Sequence, residues 1–315
     1  MFILKGHNQP VQRLEFSGDG KTLLAVDSHH NVRLWDLGTR TTRWTLDSTY
    51  YDYIVSVTFT ADCRHVLTYV WRRPAINAQS RPKSPLDHST PFLLHDVETG
   101  MVSPASIQHV SGSSFTHLTF SPDGARCVAQ NKHWTSEHLW WEYPSGVALP
   151  AWRLQAHNKL GFGAVAFSPD GRTLAGIEHR GVHFFDVSSG QHRFLHPFRL
   201  TQTEYHLAFH PNGKYLAIGS GPRLVILDID SRQEIAELRL DKKFFLDAAF
   251  TRDGRYLATV SNEETVKFWD TSSWRVTQEY AWEVGGLRCI AFDRDGFRAA
   301  AAGTGKKIVV WDLDE

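Results

Sequence analysis

Apolar and polar residues alternate in short bursts along this chain, and a turn cuts off each burst. Val11-Gln12-Arg13-Leu14-Glu15-Phe16 is one such burst and Ala164-Val165-Ala166-Phe167 another; the turns Ser17-Gly18-Asp19-Gly20 and Ser168-Pro169-Asp170-Gly171 follow them. After the turns come Thr22-Leu23-Leu24-Ala25 and Thr173-Leu174-Ala175. Short apolar segments bounded by turn residues predict strands. Pro sets the first corner of a reversal, Asp or Asn bonds its own backbone, and Gly accepts a positive φ, so each turn predicts a hairpin.

The hairpin recurs. Phe120-Ser121-Pro122-Asp123-Gly124 repeats the pattern, and weaker copies begin at Phe59, Phe209, Phe250 and Phe292, giving seven with Phe16 and Phe167. Downstream of each turn a strand ends in a large residue followed by an acid: Trp35-Asp36, His95-Asp96, Trp141-Glu142, Phe185-Asp186, Leu227-Asp228, Trp269-Asp270 and Trp311-Asp312. The anchors are spaced 60, 46, 44, 42, 42 and 42 residues apart. A period of about 40–45 residues with a Trp-Asp signature marks a four-stranded propeller blade.

On these residues the chain resembles the WD-repeat family along essentially its whole length. The resemblance implies an all-β fold, a seven-bladed β-propeller of four-stranded antiparallel blades in one domain, 1–315. The Gly-His pair common in such repeats survives as Gly6-His7, with Ala156-His157 as a near copy. The regular Phe-Ser-Pro-Asp-Gly turns are similar to those of bacterial members. Twisted sheets bury both faces against their neighbours, so each bulky anchor is expected to fill the wedge between blades.

The last repeat ends just past Trp311-Asp312 without an outer strand, and Phe2-Ile3-Leu4-Lys5-Gly6-His7-Asn8 lines up with Trp152-Arg153-Leu154-Gln155-Ala156-His157-Asn158. Residues 2–5 are therefore expected to complete the seventh blade and close the ring, removing two open sheet edges.

The second repeat departs from the pattern, with 32 residues from Cys63 to His95 against 14 to 17 elsewhere. Its excess, about 72–91, is rich in Pro and Ser and carries Arg72, Arg73, Arg81 and Lys83 with one acid, Asp87, in its core. It reads as a flexible basic loop between the second and third strands of its blade. In the family such loops share a rim with the linkers between blades, the rim commonly used for binding. Aligning the repeats puts Tyr51, Tyr53, Lys159, Lys242 and Phe244 just before first strands, and Trp134 and Glu178 before third strands. Aromatic residues with scattered charge on a loop surface suit an interaction site. The alternative for Tyr53 and Phe244 is packing between blades.

Lys plus Arg and Asp plus Glu each number 34, which leaves no global field to draw the chain to nucleic acid or an anionic membrane. Cys63, Cys127 and Cys289 have no CxxC spacing and read as buried apolar residues, which fits a reducing, cytoplasmic setting. No segment reaches the length of a membrane span or a signal-peptide core. Gly303-Thr304-Gly305-Lys306-Lys307 lacks the first Gly and the final hydroxyl of a phosphate loop and lies in a hairpin. The pairs His29 with His30, His133 with His138 and His179 with His183 lack a ligand set at metal spacing and read as surface and turn residues. There is no Gly-x-Ser-x-Gly elbow. The expectation is a non-catalytic scaffold or adaptor, without cofactor or metal, that holds a protein or peptide as a monomer or as a subunit of a hetero-complex. The alternative is a propeller enzyme, or a metal- or small-molecule-binding protein, using the mouth of the central channel.

Overall fold

The structure, a computed structural model, describes residues 1–48, 52–72, 91–107, 115–131, 139–147, 164–178, 180–199, 205–240, 243–262 and 264–313. These residues form strands and turns, and none of them is helical. Strand β1 (Phe2–Lys5) stands apart from the first blade, which comprises β2 (Val11–Phe16), β3 (Thr22–Asp27), β4 (Val32–Asp36) and β5 (Thr41–Leu46). Blade 2 holds β6 (Asp52–Phe59), β7 (His65–Arg72), β8 (Phe92–Asp96) and β9 (Val102–Pro104). Blade 3 shows β10 (Phe115–Phe120), β11 (Arg126–Asn131) and β12 (Leu139–Glu142) among the described residues. Blade 4 is β13 (Ala164–Phe167), β14 (Thr173–Glu178), β15 (Gly181–Asp186) and β16 (His192–Pro197). Blade 5 is β17 (Tyr205–Phe209), β18 (Tyr215–Ser220), β19 (Arg223–Asp228) and β20 (Gln233–Arg239). Blade 6 is β21 (Phe245–Phe250), β22 (Tyr256–Ser261), β23 (Thr265–Asp270) and β24 (Arg275–Ala281). Blade 7 joins β25 (Leu287–Phe292), β26 (Arg298–Gly303) and β27 (Lys307–Asp312) to β1.

Residues 2–5 close the ring as expected, and Phe2 faces Val310, Ile3 faces Val309, Leu4 faces Ile308 and Lys5 faces Lys307 in an antiparallel ladder. Leu4 is buried with Val11, Trp35, Ile308 and Val310, so the chain's first strand sits in the core between blades 7 and 1. Innermost strands are tied by side chains that reach backbone N–H groups next door. Glu15 accepts from the Thr58 hydroxyl at 2.9 Å and the Phe59 N–H at 3.1 Å. Ser56 accepts from the Leu118 N–H at 2.9 Å, and Asp247 from the Ile290 N–H at 3.0 Å.

Each anchor is buried where its blade meets the one before it. Trp141 lies in one cluster with Leu67, Tyr69 and Phe92 of blade 2, and Trp311 in one with Val260, Val266 and Phe268 of blade 6. His95 takes the same slot in blade 2, satisfied by the Thr68 hydroxyl at 3.0 Å and stacked on Trp44. The acids after the anchors do not reach between blades. Asp36, Asp96, Asp186, Asp228 and Asp270 turn back on their own loops: Asp186 accepts from the N–H groups of Ser188 at 3.0 Å and Ser189 at 2.9 Å, and Asp270 from those of Ser272 and Ser273 at 3.0 and 2.9 Å. Such bonds favour the ionised carboxylate. Asp36 is accordingly pulled down to about 2, first by the Thr39 N–H and then by Arg43.

The repeated turns close by an N–H of the fifth motif residue donating to the carbonyl of the second, as in Gly20 to Ser17 and Gly124 to Ser121. That fifth residue has φ near +60 to +80°, where Gly is unstrained. A Cβ on Gly124 would also meet the Cβ of Ala61, in the neighbouring blade's turn, at 2.0 Å. Cys63 is the exception, at φ 56°. Cys127 and Cys289 are buried as expected, but Cys63 is only half-buried. The turn slot it occupies puts its side chain at a surface corner, where the sulfur accepts the Gly18 N–H at 3.0 Å.

Candidate functional site

First strands begin and second strands end on one rim of the disc. On it, blade 2 differs from the others. Strands β6 and β7 are eight residues long, against six for β2 and β3, and the added rungs pair Tyr53 with Trp71 and Asp52 with Arg72. Residues directly opposite on antiparallel strands share a face. Tyr53 and Trp71 therefore stand side by side, 40 % and 39 % exposed. The ring of His30, from the connection between β3 and β4, lies 4.3 Å from that of Tyr53. These three rings form a patch at the point where the 72–91 extension leaves β7.

Of the other residues expected on this rim, Phe244 precedes β21 and is 41 % exposed. Packing between blades does not hide Tyr53 or Phe244. Glu178 is placed differently from the expectation: it is 2 % exposed, with Oε1 2.9 Å from His183 Nε2. It is the last residue of β14 and faces Gly181 across a tight connection, so its side chain folds back into the blade. Arg72 ends β7. Tyr51, Arg73, Arg81, Trp134, Lys159 and Lys242 lie outside the described residues. Trp71 was missed by the sequence reading because it lies near the end of a second strand, whereas the alignment of repeats selected positions before first and third strands; His30 was read only as a surface or turn residue. The signal available was Trp71 itself, a large aromatic at the mouth of the extension.

His183 also corrects the reading of histidines as surface and turn residues. It is buried between Glu178 and His192, with Nδ1 3.0 Å from His192 Nε2. A histidine at that depth requires polar partners, and Glu178 and His192 supply them. Among the described residues no three His, Cys, Asp or Glu side chains converge to hold a metal ion.

The same rim opens into the central channel, a cavity of about 490 Å³ lined by residues at the starts of the innermost strands, among them Gln12, Arg13, Ser56, His206, Asp247 and Arg288. A larger depression of about 610 Å³ lies on the opposite rim, between the turns of blades 1 and 2. Its carboxylates Asp19, Asp62 and Asp96 already accept bonds from their own turns, which leaves it less equipped for a ligand.

In the channel, burial pushes the Asp247 carboxyl up to about 6 and the His206 imidazole down to about 4. His206 Nδ1 lies 3.8 Å from Asp247 Oδ1, beyond hydrogen-bond reach. The two shifts act on stability with opposite signs. Asp247 holds a proton in the folded state that it loses when unfolded, so its contribution is complete below about pH 4 and is lost as pH rises through 6. His206 is neutral in the fold, so its contribution is complete above about pH 6.5 and is lost as pH falls through 4. Each amounts to about 3 kcal/mol over that window. Relative to the unaltered protein, D247N is expected to gain melting temperature as pH rises from 4 to 6.5, and H206Q to start higher at pH 4 and lose that advantage over the same rise. Melting curves across this range check the result; slopes of the same sign would contradict the assignment.

Comparison with known proteins agrees with this architecture. The family model "WD domain, G-beta repeat" matches residues 1–36 and 239–270. The chain is 25 % identical to the WD repeat-containing protein SL1-17 of Schistosoma mansoni over 55 % of its own length and 57 % of that protein's. It is also 25 % identical to the WD repeat-containing protein 26 homolog of Arabidopsis thaliana, over 70 % of this chain and 37 % of the relative. To Transcription initiation factor TFIID subunit 5 of Caenorhabditis elegans it is 28 % identical, over 38 % and 19 %. The matched stretches thus span less than two thirds of each relative. With seven blades in a ring, buried anchors at the repeat spacing and these likenesses, the chain is a seven-bladed β-propeller similar to WD-repeat proteins.

Proposed function

We propose that this propeller is a non-catalytic scaffold that holds a protein or peptide partner on the rim carrying His30, Tyr53 and Trp71. The observation behind the reading is the extra rung of blade 2, which lifts two large rings above the sheet without burying them. Half-exposed aromatics in a group offer a partner large area at low cost in side-chain entropy. Beside them the chain carries Arg72, Arg73, Arg81 and Lys83 in one stretch, so the partner segment that fits best is acidic with apolar anchors. The likeness to a protein named as a subunit of a transcription initiation factor supports work within an assembly.

The test is affinity capture with the intact chain, with Y53A/W71A, and with a variant lacking residues 74–87. A partner retained by the intact chain is expected to drop at least tenfold in yield with Y53A/W71A at unchanged melting temperature, and to become less salt-sensitive in its binding when Arg81 and Lys83 are removed with residues 74–87. Full capture by Y53A/W71A would remove the rim site.

A further inference from the structure

Among the described residues, the channel holds one charge without a hydrogen-bonding or ionic partner. Four charged side chains line it among the described residues: Arg13, Asp27, Asp247 and Arg288. Asp27 accepts from the N–H groups of His29 at 2.9 Å and Asn31 at 3.1 Å. Asp247 accepts from those of Ala248 at 2.8 Å and Ile290 at 3.0 Å, and Arg13 donates to Glu15 at 3.0 Å. Arg288 has no such partner among the described residues, and its Nε is buried without an acceptor there. His206 Nε2 is buried and unbonded as well. The two residues share a side pocket of about 230 Å³ with Gln12 and Leu246.

The backbone explains how Arg288 comes to be there. It sits at a break in register between Leu287 and Cys289, the same irregularity that places Gln12 in blade 1, Val55 in blade 2 and Leu246 in blade 6. A bulge re-aims the side chain it carries. Since Gln, Val and Leu serve at the equivalent positions, the bulge has no need of a cation. A guanidinium left partly desolvated with open donors costs stability unless something accepts from it.

We propose that Arg288 receives a carboxylate in this side pocket, with the Gln12 amide and the neutral His206 imidazole beside it as further donors. The planar fork of Arg presents two parallel N–H groups that match a carboxylate's two oxygens. One uncompensated cation suits a monoanionic group; a phosphate dianion would meet the Asp247 carboxylate with too little positive charge to offset it. The carboxylate comes either on a free small acid or on a peptide, as a side chain or a C-terminus.

Titration calorimetry at fixed ionic strength tests this with the intact protein, R288K and R288Q. The probes are acetate and succinate for the free source, acetyl-triglycine with its C-terminal carboxylate and an N- and C-capped Gly-Gly-Glu-Gly-Gly for the peptide source, and inorganic phosphate and chloride for non-specific anion binding. At least one carboxylate is expected to bind the intact protein, about tenfold more weakly to R288K, which keeps the charge but not the fork, and not measurably to R288Q. Unliganded R288Q is expected to melt no lower than the unaltered protein, because Arg288 makes no hydrogen bond or ion pair among the described residues. Binding by acids alone or by peptides alone identifies the source. Absence of binding by every carboxylate, equal binding by R288Q, or equal binding of phosphate or chloride would overturn the proposal. The readout is a small probe and not partner capture, so its failure leaves the rim reading standing, and the reverse.

Discussion

Removal of Phe2 to Lys5 lowers the melting temperature by roughly 5–10 °C and promotes self-association, whereas removal of four residues from 74–87 shifts it by less than about 2 °C. The first deletion strips four rungs from β27 and takes Leu4 out of the core. Burial of one Leu contributes about 2–3 kcal/mol, and the lost ladder bonds about 1 kcal/mol each, offset in part by the freedom regained by four residues. The net loss of about 3 kcal/mol is compounded by a fresh edge on β27, a template for pairing with another chain. Scanning calorimetry of the two deletions, with light scattering for association, checks the contrast. Equal, small shifts would mean that the ring does not depend on its first strand.

The substitution W141A is expected to destabilise the protein by about 3–5 kcal/mol, the range for a large aromatic removed from a packed core. Trp141 is fully buried in a cluster with Leu67, Tyr69, Phe92, Leu118 and Cys127, and its ring meets that of Phe92 edge-on at 5.4 Å. The cavity left behind lies between two blades that are themselves rigid sheets, so neighbouring side chains have little room to collapse into it. W141F keeps most of the volume and is expected to recover more than half of the loss. Denaturant unfolding measures both; a loss under about 1 kcal/mol for W141A would show that the anchors are not what joins the blades.

The candidate site was only partly legible before the structure. Repeat alignment singled out Tyr53 and Phe244, both of which are exposed, because the start of a first strand is fixed by its distance from the turn. Glu178 came out of the same procedure as a rim residue and proved buried. Its distance from the next anchor is ordinary, but the connection from β14 to β15 is so short that Glu178 and Gly181 face each other, which directs the carboxylate inward to His183. Trp71 lies near the end of a second strand, a position that the alignment of repeats did not select.

The sequence by itself determined the number of blades, the wedge positions of the anchors and the partner of the first strand. All three are periodic, since turn chemistry and the alternation of apolar residues act over a few neighbouring residues and repeat seven times. Only the tertiary structure decided which side chains meet across blades: His30 with Tyr53, Glu178 with His183, and Arg288 with His206 and Gln12 around one pocket. Those meetings depend on bulges, added rungs and the angle between sheets, each a shift of one or two residues or a few ångströms that leaves the hydrophobic pattern unchanged.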